Sequence, residues 1–226
     1  MSSLLLLNGS PRGKSANTAL LLAQIAQGWE NVNEGETETL HLTKSADFER
    51  ATKTFGEADV VVLGMPLYTD GMPGLVMKFI EELAPYVGKD GNPTIGFLVQ
   101  SGFNEALHSR HLERYLEKLA RRLGCEYAGT IVKGGGEGLR QMPPSWTRKL
   151  FGRVQRLGES LAREGRFDAE LLRDVAGTER FTRWQAFWVG LFTRTPIGRM
   201  YWNGQLKKNG AFADRWAAPY AKAAER

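Results

Sequence analysis

Between residues 4 and 132 the sequence alternates between short apolar runs and longer stretches with helical periodicity. Residues 4–7, 60–63, 94–99 and 127–132 read as strands, and residues 37–42 as a weaker one with an alternating pattern. The run Val60-Val61-Val62-Leu63 is apolar throughout, which marks a strand buried on both faces. Residues 17–29, 75–86 and 111–123 read as helices, the first with Leu20, Leu21, Ala23, Ile25 and Ala26 on one face. A short helix over residues 46–55 would complete the alternation. Such an order implies parallel strands joined by right-handed crossovers, hence a doubly wound α/β sheet with helices on both faces.

The pattern changes near residue 140. Residues 1–139 carry 13 Lys+Arg against 17 Asp+Glu, whereas residues 140–226 carry 17 against 8. Five of the six tryptophans (Trp146, Trp184, Trp188, Trp202 and Trp216) also lie in the second part. We therefore expect an α/β domain over residues 1–140 and a helical, basic, aromatic-rich extension over 141–226. In the extension, Ser145 can cap a helix running to about residue 164. Asp168 can cap a second through residue 175, and a third spans about 179–192 with Pro196 just beyond its end.

With a single cysteine, Cys125, the chain can form no internal disulfide and no cysteine-ligated iron–sulfur or zinc site. Cys125 is expected to pack as a small hydrophobe. No stretch reaches the roughly 20 apolar residues of a membrane-spanning helix. The run Leu4–Leu7 lacks a basic flank and is too short for a signal peptide, so a cytoplasmic location is expected. His108 and His111 have no carboxylate–histidine set beside them, and no metal site is expected.

The first strand runs into Gly9-Ser10-Pro11-Arg12-Gly13-Lys14-Ser15-Ala16-Asn17-Thr18, and a helix follows. Helix starts leave backbone N–H groups unpaired and carry partial positive charge, so an anion is the natural ligand. Ser10, Ser15, Asn17 and Thr18 add short polar side chains and Arg12 adds charge. An ordinary capped turn would account for one serine and one glycine, not for so many donors. A Walker A phosphate loop would need a glycine at position 8, which is Asn8. A dinucleotide fingerprint is excluded because no G-x-G-x-x-G occurs.

The pattern G-S-x-R-x-x-S-x-N resembles the FMN phosphate loop of NAD(P)H-dependent FMN reductases and quinone reductases, which have the flavodoxin-like fold. The resemblance covers about residues 3–140. It implies a five-stranded sheet in the order 2-1-3-4-5, with Ser10, Arg12, Ser15, Asn17 and Thr18 holding the flavin phosphate. In that order the loops leaving strands one and three diverge and open a crevice. The loop after strand three, Met65-Pro66-Leu67-Tyr68-Thr69-Asp70-Gly71-Met72-Pro73-Gly74, contains the family's P-x-Y-x-x-x-x-P-G. By resemblance Pro66, Leu67, Tyr68 and Thr69 line the isoalloxazine edge, and Ser101, Gly102 and Phe103 meet the ring system from the next loop. Glu105 and His108 read first as a capping carboxylate and a solvated imidazole, with a catalytic acid/base role as the alternative for either. The glycines of Lys133-Gly134-Gly135-Gly136-Glu137-Gly138 suit either a connector or a pocket wall.

The resemblance implies an FMN-dependent NAD(P)H oxidoreductase delivering electrons to a small-molecule acceptor: a quinone, a nitro or azo compound, or free flavin. No side chain need act as nucleophile or base, because the cofactor carries the chemistry. Relatives are commonly homodimers. A flavodoxin-type electron carrier is the alternative; the sequence pI of about 9.4 counts against it. In the extension Trp184, Phe187, Trp188, Leu191 and Phe192 recur at helical spacing. The first reading of that face is packing on the core or a second subunit. A lid over the flavin and membrane-surface contact follow, and nucleic-acid binding comes last.

Overall fold

The computed structural model describes residues 2–218; residues 219–226 of the expected extension lie outside them. Five parallel strands, β1 (Leu4–Asn8), β2 (Thr37–His41), β3 (Val60–Pro66), β4 (Thr94–Gln100) and β5 (Tyr127–Lys133), form one sheet in the order β2-β1-β3-β4-β5. The crossovers carry α1 (Asn17–Glu30), α2 (Ser45–Thr54), α3 (Gly74–Glu82) and α4 (Arg110–Leu123). After β5 come α5 (Pro144–Glu164), α6 (Ala169–Ala176), α7 (Arg183–Arg194) and α8 (Pro196–Lys208).

Every residue of β1 and β3 is buried, as an apolar run covered on both faces requires. Alternate side chains feed two cores. Leu5, Leu7, Val61, Leu63 and Phe97 pack with Phe55, Phe79 and Leu116, on the side of α2, α3 and α4. Leu4, Leu6, Val62, Leu98 and Ile131 pack with Leu22, Ile25, Trp29, Val154 and Leu157, on the side of α1 and α5. Burying one such leucine fully is worth about 1.5–3 kcal/mol. The helices α1 and α5 meet at two glycines. A Cβ on Gly28 would sit 1.8 Å from the Gln155 carbonyl oxygen, and one on Gly158 would sit 2.2 Å from that of Ile25.

The chain divides into two compact units, Met1–Arg180 and Phe181–Arg226. The first thus includes α5 and α6, both beyond the compositional change near residue 140. Several helix starts differ from the sequence expectation. Pro143 occupies the cap of α5 with Pro144 in its first turn, and Ser145 is already inside the helix. Pro fits there because its missing N–H would be unpaired anyway. Asp168 caps α6 as expected, its carboxylate accepting from the Leu171 N–H at 2.8 Å. The next helix starts four residues later than expected, where Thr182 and Gln185 make a reciprocal capping box. Pro196 does not merely follow that helix; it opens α8 behind a Thr195 cap.

Candidate functional site

The carboxyl ends of β1 and β3 lie side by side where the strand order reverses, and their loops carry the candidate residues. The β1 loop is shaped from inside by Asn8. Its Nδ2 donates to the Gly13 carbonyl at 2.8 Å and lies 2.9 Å from His41 Nδ1, while its Oδ1 accepts from the Ser10 N–H at 3.1 Å. Gly13 takes φ +56°, a conformation that strains other residues. Gly9 lies so close to the next layer that a Cβ would be 2.3 Å from Val76 Cγ2.

Where α1 begins, Ala16 is the N-cap, and no side chain accepts from the first turn. Among the described residues the first-turn amides thus have no side-chain cap, the condition under which helix starts take anions. Thr18, in that turn, is fully buried, and its hydroxyl has no hydrogen-bond partner among the described residues. A buried, unsatisfied hydroxyl costs about 1–3 kcal/mol, so a ligand accepting from it would recover that loss.

The other loop residues are already engaged. Ser10 is buried, and its Oγ accepts weakly from the Arg12 N–H at 3.4 Å. Ser15 is exposed and donates to the Arg12 carbonyl at 2.8 Å. Arg12 lies 3.2 Å from Glu137, an exposed pair of small energetic weight. Asn17 Nδ2 donates to the carbonyls of Gly136 and Glu137 at 2.7 and 3.0 Å.

In the β3 loop, Pro66 is the buried last residue of the strand, and the Leu67 N–H donates to the Gln100 carbonyl at 2.8 Å. Tyr68 is about half exposed and pairs with Gly71 through two backbone hydrogen bonds of 2.9 and 3.0 Å. Between them Thr69 and Asp70 take φ +48° and +59°. From the β4 loop, Ser101 Oγ donates to the Phe103 carbonyl at 3.1 Å. Phe103 stacks on His108 with centroids 4.3 Å apart. His108 is not simply solvated: its nitrogens lie 3.8 Å from Asp70 and from Glu105, linking the β3 and β4 loops. Gly102 has only Glu137 Cβ near where its own Cβ would stand.

The glycine segment closes against the β4 loop. Gly135 N–H donates to Phe103 and Gly136 N–H to Ser101, both at 2.7 Å. Side chains on Gly134 or Gly136 would collide with the Phe103 carbonyl or Gln100 Oε1. That Gln100 oxygen is also buried without a partner among the described residues. Burial pushes the Lys133 ammonium below its usual range, and its Nζ donates to the Gly134 carbonyl. Cys125 is buried, its thiol pushed up to about 11, and so is protonated and unreactive.

Sequence reasoning did not single out Asn8, His41, Gln100, Asp70 or Arg140. Arg140 Nη2 donates to the carbonyls of Lys14 and Ala16, both at 2.9 Å, bracing the loop from behind. Asn8 did carry a signal: an amide ending a run of four leucines that is otherwise buried.

Residues 2–144 match the profile of a family described as having the flavodoxin-like fold. The chain belongs to that family. Among solved structures, an azoreductase from Bacillus anthracis str. Sterne is 16% identical, with a TM-score of 0.55 over 71% of this chain and 100% of that one. The apo form of NADH:FMN oxidoreductase (EMOB) is 14% identical, with a TM-score of 0.55 over 80% of this chain and 97% of that one. An NAD(P)H:quinone oxidoreductase from Methanothermobacter marburgensis is 14% identical, with a TM-score of 0.53 over 71% and 96%. At these identities the likeness is one of fold. No curated protein matches the chain.

Proposed function

We propose that this flavodoxin-like chain binds FMN at the β1–β3 switch point and works as an NAD(P)H-dependent oxidoreductase. The observation that carries the reading is the start of α1: an uncapped first turn that contains a buried hydroxyl, Thr18, with nothing to bond. That is a cradle for a phosphate, and it stands where open α/β sheets take their ligands. Fold relatives support the redox assignment, one being an FMN-dependent NADH-azoreductase from Bacillus anthracis str. Ames Ancestor in complex with FMN.

Thr18 and the first-turn amides of α1, with Ser10 and Arg12, would hold the phosphate, while Ser15 and Asn17, whose donors go to the Arg12, Gly136 and Glu137 carbonyls, would shape the loop around it. Pro66, Leu67, Tyr68 and Thr69 would flank the rings with Ser101, Gly102 and Phe103. Bound there, FMN would supply two-electron redox chemistry between a reduced nicotinamide and an acceptor such as a quinone, a nitro or azo compound, or free flavin. The chain's own work is orientation and electrostatics. Backbone of the β3 and β4 loops would border the ring edge, and Tyr68 and Phe103, each about half exposed, would offer aromatic surface for stacking. An apolar cavity of about 410 Å³, lined by Asp70, Met72, Met77, Ile80, His111 and Tyr115, adjoins the ring-side loop. It suits an apolar acceptor or the face of a second subunit.

The test is an anaerobic titration. Purified protein is mixed with FMN, then with NADH or NADPH, while the visible flavin band is followed. Binding followed by bleaching, then recovery on adding a quinone or azo dye, supports the reading. Binding without bleaching marks an electron carrier instead. Absence of binding, with Thr18→Val indistinguishable from the parent, overturns the assignment.

A further inference from the structure

None of the residues of α7 or α8 is buried, although both helices are rich in large apolar side chains. On α7, at about 100° per residue, Phe187, Leu191, Trp184, Trp188 and Phe192 fall within one arc of about 140°. All five are exposed, Trp184 by 69%. Arg183 and Arg194 stand at the edge of that arc. The next helix adds exposed Ile197, Met200 and Trp202. Exposed apolar side chains of this size gathered on one helix face, as on α7, mark an interaction site.

The charge of the segment selects the partner. Residues 181–218 contain Arg183, Arg194, Arg199, Lys207, Lys208 and Arg215 but only one acid, Asp214. Within the same unit a cavity of about 480 Å³ is lined by Arg194, Arg199 and Arg215 together with Trp202, Phe212 and Trp216. The Arg215 guanidinium lies 4.1 Å from the Phe212 ring centroid and 5.8 Å from that of Trp216. Aromatic stacking keeps this cation oriented at the surface.

We propose that α7 and α8 dock this protein onto the surface of an anionic lipid bilayer, with the aromatic face of α7 at the boundary of headgroups and acyl chains and the three arginines on lipid phosphates. Indole rings favour the region where headgroups meet hydrocarbon, and exposed cations are drawn to anionic lipid. A protein partner would have to bring the acidic groups that this segment lacks, and a second copy brings only the small acidic excess of residues 1–139, 17 Asp+Glu against 13 Lys+Arg. A bilayer of anionic lipid supplies them everywhere. Among the described residues no helix is long and apolar enough to cross a membrane, so the association lies in the interface plane. The inference does not depend on the flavin reading.

The full chain is tested by co-sedimentation with large vesicles of phosphatidylcholine alone and with about a third phosphatidylglycerol, a composition chosen to give a strongly negative surface. The expected result is binding to the mixed vesicles, release as salt rises, and a blue shift of tryptophan emission. Arg194→Gln, Arg199→Gln and Arg215→Gln together lower partitioning on the order of tenfold or more. Trp184→Ser with Trp188→Ser abolishes the blue shift, while circular dichroism confirms that the helices persist. Three results would overturn the proposal. One is no sedimentation with mixed vesicles at low salt. Another is equal binding to neutral vesicles. The third is a parent dimer that ignores vesicles and becomes a monomer in the tryptophan variant, which would assign the face to a second copy.

Discussion

Asn17, in the first turn of α1, donates its Nδ2 to the carbonyl of Gly136 at 2.7 Å, across 119 positions of sequence. The same nitrogen lies 3.0 Å from the Glu137 carbonyl. The start of α1, behind the β1 loop, and the glycine segment after β5 are thereby joined into one wall. Arg140 repeats the tie from behind through Lys14 and Ala16. Whatever occupies the crevice meets both loops as a unit.

Removing that tie is the first prediction. Asn17→Ala leaves the Gly136 carbonyl without its side-chain donor, a loss of about 1–3 kcal/mol if no water replaces it. For a chain of this size that lowers Tm by roughly 2–10 °C. FMN affinity falls by about tenfold, because the wall must be ordered at the expense of binding. Calorimetry reads the first effect and fluorescence titration of FMN the second. A variant with parental Tm and affinity would show that the tie positions nothing.

The strands were legible because burial on both faces writes itself into sequence as unbroken apolar runs, whereas their order came from the family resemblance of the loops. Where that signature fades, the elements were undersized. β3 continues to Pro66 because Gly64, Met65 and Pro66 still pair with β4, although glycine and proline break the apolar pattern. The extension was harder. Glu179 looked like the first turn of a helix, but its carboxylate takes the Arg110 guanidinium at 2.6 Å, and its pKa is lowered by those hydrogen bonds. At the site the donor types were visible, their partners were not. Asn17 and Ser15 have polar side chains that suit a phosphate equally well as they suit the carbonyls they actually meet, and long-range bonds such as Arg140 to Ala16 leave no trace in spacing.

Acid sensitivity should centre on His41. Burial lowers its pKa from the usual 6.5, against the opposing pull of Asp47. The neutral ring lies 2.9 Å from Asn8 Nδ2 and accepts from that amide. Because the folded pKa lies below the unfolded one, the stabilisation is present above pH 6.5 and is lost as pH falls through the folded value. Protonation also removes the acceptor that Asn8 uses while it braces the Gly13 carbonyl. FMN binding should therefore weaken as the pH falls from 6.5 through the lowered folded value of His41, and His41→Gln should flatten that limb. Proton NMR of the His41 ring, titrating below 6.5, checks the origin.

Two glycines of α5 should respond oppositely to alanine. Nothing lies within 4 Å of a Cβ built on Gly152. Gly152→Ala therefore gains helix propensity alone and stabilises by about 0.5–1 kcal/mol. At Gly158 the same methyl would stand 2.2 Å from the Ile25 carbonyl oxygen and 3.0 Å from the Trp29 nitrogen. Both atoms are backbone and cannot swing aside. Gly158→Ala should destabilise by about 1–3 kcal/mol net as α1 and α5 are forced apart. Denaturant unfolding of the pair, with equal slopes, isolates the packing term.

Thr69 gives the last prediction. With Asp70 it forms the two-residue link of a hairpin closed by the paired Tyr68 and Gly71 backbones, and both φ values are positive. Two positive φ values are the signature of a type I′ turn, in which Asn and Gly are favoured. Asp70 tolerates that region, but a β-branched threonine does not, at a cost of about 1–3 kcal/mol. Thr69→Asn should therefore raise stability by about 1 kcal/mol while keeping the turn. FMN affinity should stay within a factor of about two if the loop contributes backbone rather than the threonine hydroxyl, since a tenfold loss would correspond to 1.4 kcal/mol of side-chain contact. Higher Tm with unchanged affinity makes the strain a feature of the turn alone. Higher Tm with a tenfold loss would mean that the threonine hydroxyl itself meets the flavin, and that its strain is retained for binding.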